Sequence, residues 1–367
     1  MTQAATEKKR PDHSGDPTGL GYPLAGVPEP GQALPVVSGV RWLRMPLPFA
    51  LDHINLWLLE DGDGWTIVDC GYTSDATRSA WETIARDVIG TRPVHRIVVT
   101  HYHPDHLGMA HWLTRTFGAE IWMTQAEYLT AHAVWDNGAG FSKEALVALY
   151  RRHGLDEARL AHLGLKGDVY RRGVPEVPKR YRRMVDGEEI AVGGRSWRVM
   201  VGYGHAPEHA ALWCRDLGAF ISGDMVLPRI STNVSVWGPE PEGDPLALYL
   251  SSLARYRELP ADTLVLPSHG RVFVGLRERV DALRDHHDAR FADLLAACVE
   301  QPKSAADLIP VLFRRPLDTH QVFFAMGEAV AHINALWRRG RLERSVDPQG
   351  TWRFRAADRG VEARFRI

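Results

Sequence analysis

The chain has 367 residues, 45% of them apolar and 24% charged, with a formal charge of −1. This describes a soluble globular protein with room for more than one domain, and a total charge that does not advertise nucleic acid or an anionic membrane as a partner. Its three cysteines (Cys70, Cys214 and Cys298) are far apart and never form C-x-x-C, which excludes a cysteine zinc knuckle or disulfide framework and fits a reducing compartment.

Residues 1 to about 35 are rich in Pro, Gly and polar side chains and read as a flexible or surface-hugging arm. They contain no apolar signal region, and no later run approaches a membrane span, so a cytoplasmic location without membrane contact is expected. INLWLLEDGDGWTIVDCG, residues 54–71, places two apolar runs around Asp-Gly-Asp-Gly and predicts a hairpin. SDATRSAWETIARDVIG predicts a helix with Ser74 or Asp75 as N-cap and Gly90 near its end. HRIVVT follows as a strand, GMAHWLTRTFG as a helix and AEIWMT as a strand, so the fold reads as α/β with strand-end loops free for chemistry. Residues from about 125 to 185 read as a helical insertion broken by Gly and Pro. Strands resume at EEIAVGG, SWRVMVGYG, AALWCRD, GAFISGD and DTLVLPSHG. A long helix over roughly 275–300 then leads to a separate C-terminal piece, with helices in SAADLIPVLF and AMGEAVAHINALWRRGRLER and a strand or wing in GTWRFRA.

The strand HRIVVT runs into THYHPDHLG, which holds His101, His103, Asp105 and His106 within six positions. Imidazole nitrogen and carboxylate oxygen are the donors that hold Zn²⁺ or Fe²⁺. His101 and His103 can point the same way from a turning segment, while Asp105 and His106 turn towards a neighbouring site. Three later strand ends repeat the theme: His205 ends RVMVGYGH, Asp224 ends AFISGD and His269 ends LVLPSH. Together these are seven candidate ligands, enough for two metals with positions left for water.

The order H-x-H-x-D-H, GH, SGD, SHG resembles the metallo-β-lactamase superfamily of hydrolases, with the glyoxalase II-like members as the nearer comparison, over roughly residues 38–275. The resemblance implies an αββα sandwich with the site along one edge. It implies that His101, His103 and His205 bind one divalent ion, that Asp105, His106 and His269 bind a second, and that Asp224 bridges them. Zinc is the first expectation, with iron or manganese able to use the same donors. Asp69, in IVDCG, matches the family's supporting aspartate behind the ligands. Cys70 stands where many members have Thr, and Glu208 where many have Gly; neither is a ligand position. The implied mechanism uses a hydroxide between the ions, with Asp105 as the catalytic group that orients it or manages its proton. Two divalent ions, two aspartates and one hydroxide sum to a local charge of about +1, which favours the oxyanion formed at a carbonyl or phosphoryl centre.

His209, four residues after His205, is expected to support rather than ligate. His286 and His287 read as a solvated helix face. Tyr102 and Tyr203, beside ligands, and Trp237, on the loop after Asp224, are candidates to line the substrate pocket. The C-terminal piece resembles the winged-helix domain that follows the sandwich in one branch of the superfamily. The expected organisation is therefore an arm over 1–35, a catalytic domain over 36–275 that includes the insertion, a linker helix over 276–300, and a winged helix over 301–367. A small-molecule acyl substrate (thioester, ester or lactone) is expected. A phosphodiesterase or ribonuclease that uses the arginines of RRGRLER and RFRAADRGVEARFRI, with YRR and KRYRR around residues 170–183, to hold RNA is the alternative. In INALWRRG, Ile333, Leu336 and Trp337 form a stripe that must be buried, within the piece itself, against the sandwich or across a homodimer. With all seven candidate ligands before residue 275, the C-terminal piece is expected to support the chemistry rather than carry it.

Overall fold

The structure is a computed structural model that describes residues 19–138, 140–165 and 169–358. Seven strands form one sheet in sequence order: β1 Leu34–Val37, β2 Val40–Pro46, β3 His53–Asp61, β4 Gly64–Val68, β5 Val94–Val98, β6 Glu120–Thr124 and β7 Tyr181–Met184. The first four pair antiparallel, while β4 to β7 run parallel. A second sheet holds β8 Glu189–Val192, β9 Arg195–Gly202, β10 His209–Cys214, β11 Ala219–Gly223 and β12 Leu264–Pro267, in the order β12-β11-β10-β9-β8.

Strand alternation explains the layers. In β3, Ile54, Leu56 and Leu58 turn outward under helices, while Trp57 and Leu59 turn into the space between the sheets. β10 and β11 repeat the pattern: Leu212, Cys214 and Ile221 face the first sheet, and Ala211, Trp213 and Phe220 face the second helical layer. Both faces of the central strands are buried, so these segments read as nearly continuous apolar runs. The sheets are stitched at one end by Asn55, whose backbone N–H donates to Ser268 O and whose side chain donates to Pro267 O and Gly270 O.

The hairpin and the helix after it form as the sequence predicts. Ser74 is the N-cap, its Oγ accepting from Thr77 N, and the helix Asp75–Ile84 continues through a π-helical turn to Gly90. The insertion folds as helices Gln125–Trp135, Lys143–Arg152, Glu157–Leu165 and Val169–Gly173. Its last segment differs from expectation, because Tyr181–Met184 is β7, the edge strand beside β6. β1, β2 and the helix Pro245–Arg257 are elements that the periodicity reading did not predict.

The helix Leu276–Ala297 leads to the helices Ala305–Leu312 and Thr319–Arg338 and to a hairpin of β13 Leu342–Val346 and β14 Trp352–Ala356. RLER, expected as helix, is therefore mostly strand. Ile333 and Leu336 are buried and Trp337 is half-buried, in a core shared with the helices of the second sheet. His286 is exposed as expected, but His287 is not: it is buried, with Nδ1 3.1 Å from His332 Nε2. Of the arm, Leu20 is buried and Gly21 pairs with Val274. The rest of the arm before residue 19, and the arginine-rich residues 359–367, lie outside the described residues. No described helix is long and apolar enough to cross a membrane.

Candidate metal centre

Five strand ends meet at one edge of the sandwich. β4 leads to Asp69, β5 to His101, β9 to His205, β11 to Asp224 and β12 to His269. After β5 the chain turns at His103, which is the N-cap of the one-turn helix Pro104–Leu107, with Pro104 in the first turn where a missing N–H costs nothing. That turn carries Asp105 and His106. Gly108 closes it because nothing larger fits: a Cβ there would lie 2.5, 2.6 and 2.7 Å from the carbonyl oxygens of Pro104, Gly173 and Gly71.

All seven candidate ligands converge, in two groups. His101, His103, His205 and Asp224 form one, and Asp105, His106 and His269 the other; in each, the donor atoms lie within 4.8 Å of one another. Asp224 presents a different oxygen to each group. Its Oδ2 is 3.3 Å from His205 Nε2, and its Oδ1 is 3.4 Å from both His106 Nε2 and His269 Nε2.

The imidazoles are held from behind. His205 Nδ1 donates to Asn233 O, His269 Nδ1 donates to His53 O, and His106 Nδ1 donates to Asp69 Oδ2, each at 2.8 Å. With Nδ1 bonded, each ring turns Nε2 into the site, where it can hold a proton or, in the neutral tautomer, offer its lone pair to a cation. His101 Nε2 then sits 3.2 Å from His205 Nε2 and 2.9 Å from His103 Nδ1. His106 Nε2 and Asp224 Oδ1 are buried without a hydrogen-bond partner. Converging lone pairs and orphaned buried acceptors are what divalent cations satisfy, so the residues fit the group that the ligand chemistry implies.

The electrostatics agree. Burial, reinforced by neighbouring imidazoles, holds His101 well below the ordinary histidine range and brings His103 down to about 3. In the other group burial also opposes charge, yet the carboxylates outweigh it: Asp69, Asp105 and Asp224 push His106 well up, and Asp224 and Asp105 bring His269 to about 10. The edge is built to hold positive charge.

Asp69 accepts from Thr100 N at 2.8 Å and from the Thr100 hydroxyl as well as from His106, and holds a left-handed φ of 63° to do so. His209 lies outside both groups, and its Nε2 accepts the Asp224 backbone N–H at 3.1 Å. Tyr102 is buried beside His103, with its ring against Tyr170. Tyr203 packs with the inter-sheet core, and its N–H donates to Ser252 Oγ. Trp237 is 37% exposed. Cys70 is fully buried and burial pushes its thiol well up, so it offers no nucleophile.

Three supporting groups escaped the sequence reading. The Asn233 and His53 carbonyls carry no signal, because every residue has one. Glu127, on the helix after β6, is fully buried and accepts from Tyr102 N at 2.9 Å and Glu208 N at 2.6 Å, tying the two histidine loops together. Glu208 answers by accepting from Ala126 N.

Residues 50–269 match the model of the metallo-beta-lactamase superfamily, and residues 291–357 match that of the metallo-beta-lactamase-like C-terminal domain. A beta-lactamase domain protein from Burkholderia ambifaria is 50% identical in a crystal structure, covers 92% of this chain and 98% of its own, and superposes with a TM-score of 0.86. The probable metallo-hydrolase YqjP of Bacillus subtilis is 27% identical over 80% of this chain and 91% of its own. The atrochrysone carboxyl ACP thioesterase of Aspergillus fumigatus is 22% identical over 76% of this chain and 75% of its own.

Proposed function

Because this chain belongs to the metallo-β-lactamase superfamily and is a metallo-hydrolase, we propose that it hydrolyses a thioester, ester or lactone bond of a small molecule, in the manner of the glyoxalase II-like members. His101, His103 and His205 hold one divalent ion, Asp105, His106 and His269 a second, and Asp224 joins them; zinc is the first expectation, with iron or manganese as alternatives. The observation that carries the reading is the split of the Asp224 carboxylate, one oxygen to each ligand group. When bound, such a pair of ions supplies a water acidic enough to attack at neutral pH and positive charge for the developing oxyanion.

The chain's own residues supply the rest. Asp105 has a side chain 20% exposed, against 10% or less for Asp224, His106, His205 and His269, with Oδ2 3.5 Å from His269 Nε2. It therefore serves as the group that meets incoming water and holds its proton. Asp69, Asn233 and His53 fix the imidazole orientations, and His209 fixes the Asp224 backbone.

Apolar side chains support an acyl substrate. Phe49, 48% exposed, lies on the loop before His53, with its ring 5.3 Å from Tyr72; Ile230 and Trp237 are exposed on the loop that carries Asn233. The insertion reaches the ligand loop through Tyr170, which donates to Tyr102 O, so its helices are suited to wall the pocket. The name of the Aspergillus relative, a thioesterase, points the same way. The ribonuclease alternative draws less support from the described residues, where three of the arginines it would use have partners. Arg338 donates to Glu242 O, Arg339 lies over Phe291, and Arg182 lies over Trp122. We read residues 36–275 as the catalytic domain, 276–300 as a linker helix, and the helices and hairpin of 301–358 as a winged helix in a supporting role.

Metal analysis of the purified chain is expected to find two ions, and Asp224→Ala to lose at least one of them together with most activity. A metal-free chain of full activity ends the reading. A panel of acyl-thioesters, lactones, a β-lactam, bis-p-nitrophenyl phosphate and single-stranded RNA then separates substrate classes. Turnover of RNA alone, abolished by salt, would replace the acyl reading.

A further inference from the structure

We propose that the helix Thr319–Arg338 sets the position of His205 through the loop 224–244, with Asn334 and Gly327 as positioning residues. The inference rests on the reading of His205 as a metal ligand.

Residues 224–244 run without strand or helix between β11 and the helix Pro245–Arg257, a length that compact domains keep chiefly for functional loops. The loop supplies two contacts to the site: Asn233 O receives the Nδ1–H of His205, and Thr232 Oγ1 donates to Asp224 O. Short-range bonds such as Glu240 N to Trp237 O turn the loop locally, and the C-terminal helices hold it along its length. Arg279 donates to Leu227 O and Ile230 O. Val236 N donates to Gly327 O at 3.2 Å. Both amide hydrogens of Asn334, itself 1% exposed, are used on the loop, at 3.1 Å to Pro241 O and 2.9 Å to Gly243 O. Arg338 and Arg344 hold Glu242.

Gly327 shows that this approach is built in. A Gly in a helix interior is less favourable than Ala, yet a Cβ here would lie 2.6 Å from Ser235 Oγ and 2.8 Å from Ser235 Cβ. Ser235 in turn donates to the Asn233 side chain at 2.7 Å. From helix to ligand the path is therefore Gly327, Ser235, Asn233, His205. The C-terminal module donates no ligand and still determines where one lies.

Chelator-competition titration of the metal-replete, full-length protein tests this, with Zn²⁺ as the probe and His205→Ala as the reference for which ion is affected. Asn334→Asp keeps the shape but removes both donors. It is expected to weaken that ion 10–100-fold, the range for groups that orient ligands, and to leave the other within twofold. Gly327→Ala is expected to do the same, and Ser235→Gly, which removes the bond to the Asn233 side chain, to weaken that ion as well. Folded variants with both affinities unchanged would overturn the proposal, as would equal weakening of both ions that tracks lost stability. Should Asn334→Asp fail to fold, Gly327→Ala and Ser235→Gly decide. A wild-type chain holding fewer than two ions would instead overturn the reading beneath it.

Discussion

Asp69 is one carboxylate with three duties: it receives Thr100 N–H, the Thr100 hydroxyl and the His106 ring, in a left-handed backbone that Asp adopts more readily than most residues. Asp69→Asn keeps the shape and the backbone tolerance but turns an NH₂ towards one of these donors. We expect the ion held by His106 to bind about 10–100-fold more weakly, with His205's ion little changed, measured by the same chelator competition. At this scale the seven ligand candidates were legible from the chain because ligation demands particular side chains at strand ends. The carbonyls of Asn233 and His53 were not, since which carbonyl a ring nitrogen meets depends on a tertiary contact, across 28 residues for His205 and 216 for His269. His287 was misread for a related reason: its helix alternates charge, and nothing local tells that His332 covers one of two adjacent histidines.

Among the elements, the one-turn helix Pro104–Leu107 has the least freedom, because Gly108 touches three backbone carbonyls that cannot swing aside. Gly108→Ala should cost about 1–3 kcal/mol by overpacking, read from urea denaturation, and should displace Asp105 and His106 enough to lower metal content. An unchanged denaturation midpoint would show that the turn can open. The central strands were legible because burial on both faces leaves little but apolar residues. β7 and β13 were not: they are an edge strand and half of a two-stranded hairpin, and their arginines and glutamates suit water on one side. In β7, Arg182 lies over Trp122 at 4.1 Å, so a residue that reads as a cationic patch is a packing partner. The pairing of the sheets' edge strands and the helix Pro245–Arg257 depended on tertiary burial rather than period.

For the molecule as a whole, acid stability depends on histidines far from the ligands. His153 is fully buried with neither ring nitrogen paired, and burial holds it at about 3. Burial likewise brings His287 to about 2 and His332 to about 4. The folded pKa values lie below the unfolded value near 6.5, so the unfolded chain binds more protons below that pH. The contribution is complete above about 6.5 and is lost as pH falls, by up to about 1.4 kcal/mol per pH unit for each histidine. His153→Phe, whose ring would stack on Phe354 as the imidazole does, is expected to flatten the acid limb by about one proton. Urea melts of both proteins between pH 6.5 and 4.5 give the two slopes, and equal slopes would exclude His153 as a contributor.

The pairing of Gly21 with Val274, through hydrogen bonds in both directions, bears on how the protein is made. Gly21 finds its partner only after roughly 250 further residues have been synthesised. The ligands follow a similar timetable: His101 to His106 appear early, His205 and Asp224 later, and His269 just before Val274. At about 5–20 residues per second, the early imidazoles wait several seconds or more for the residues that complete their groups. Asn334, which braces the loop behind His205, comes later still. A half-made chain thus offers a cluster of histidines without Asp224 or the Asn334 contacts, and the site is complete only once those later residues have followed.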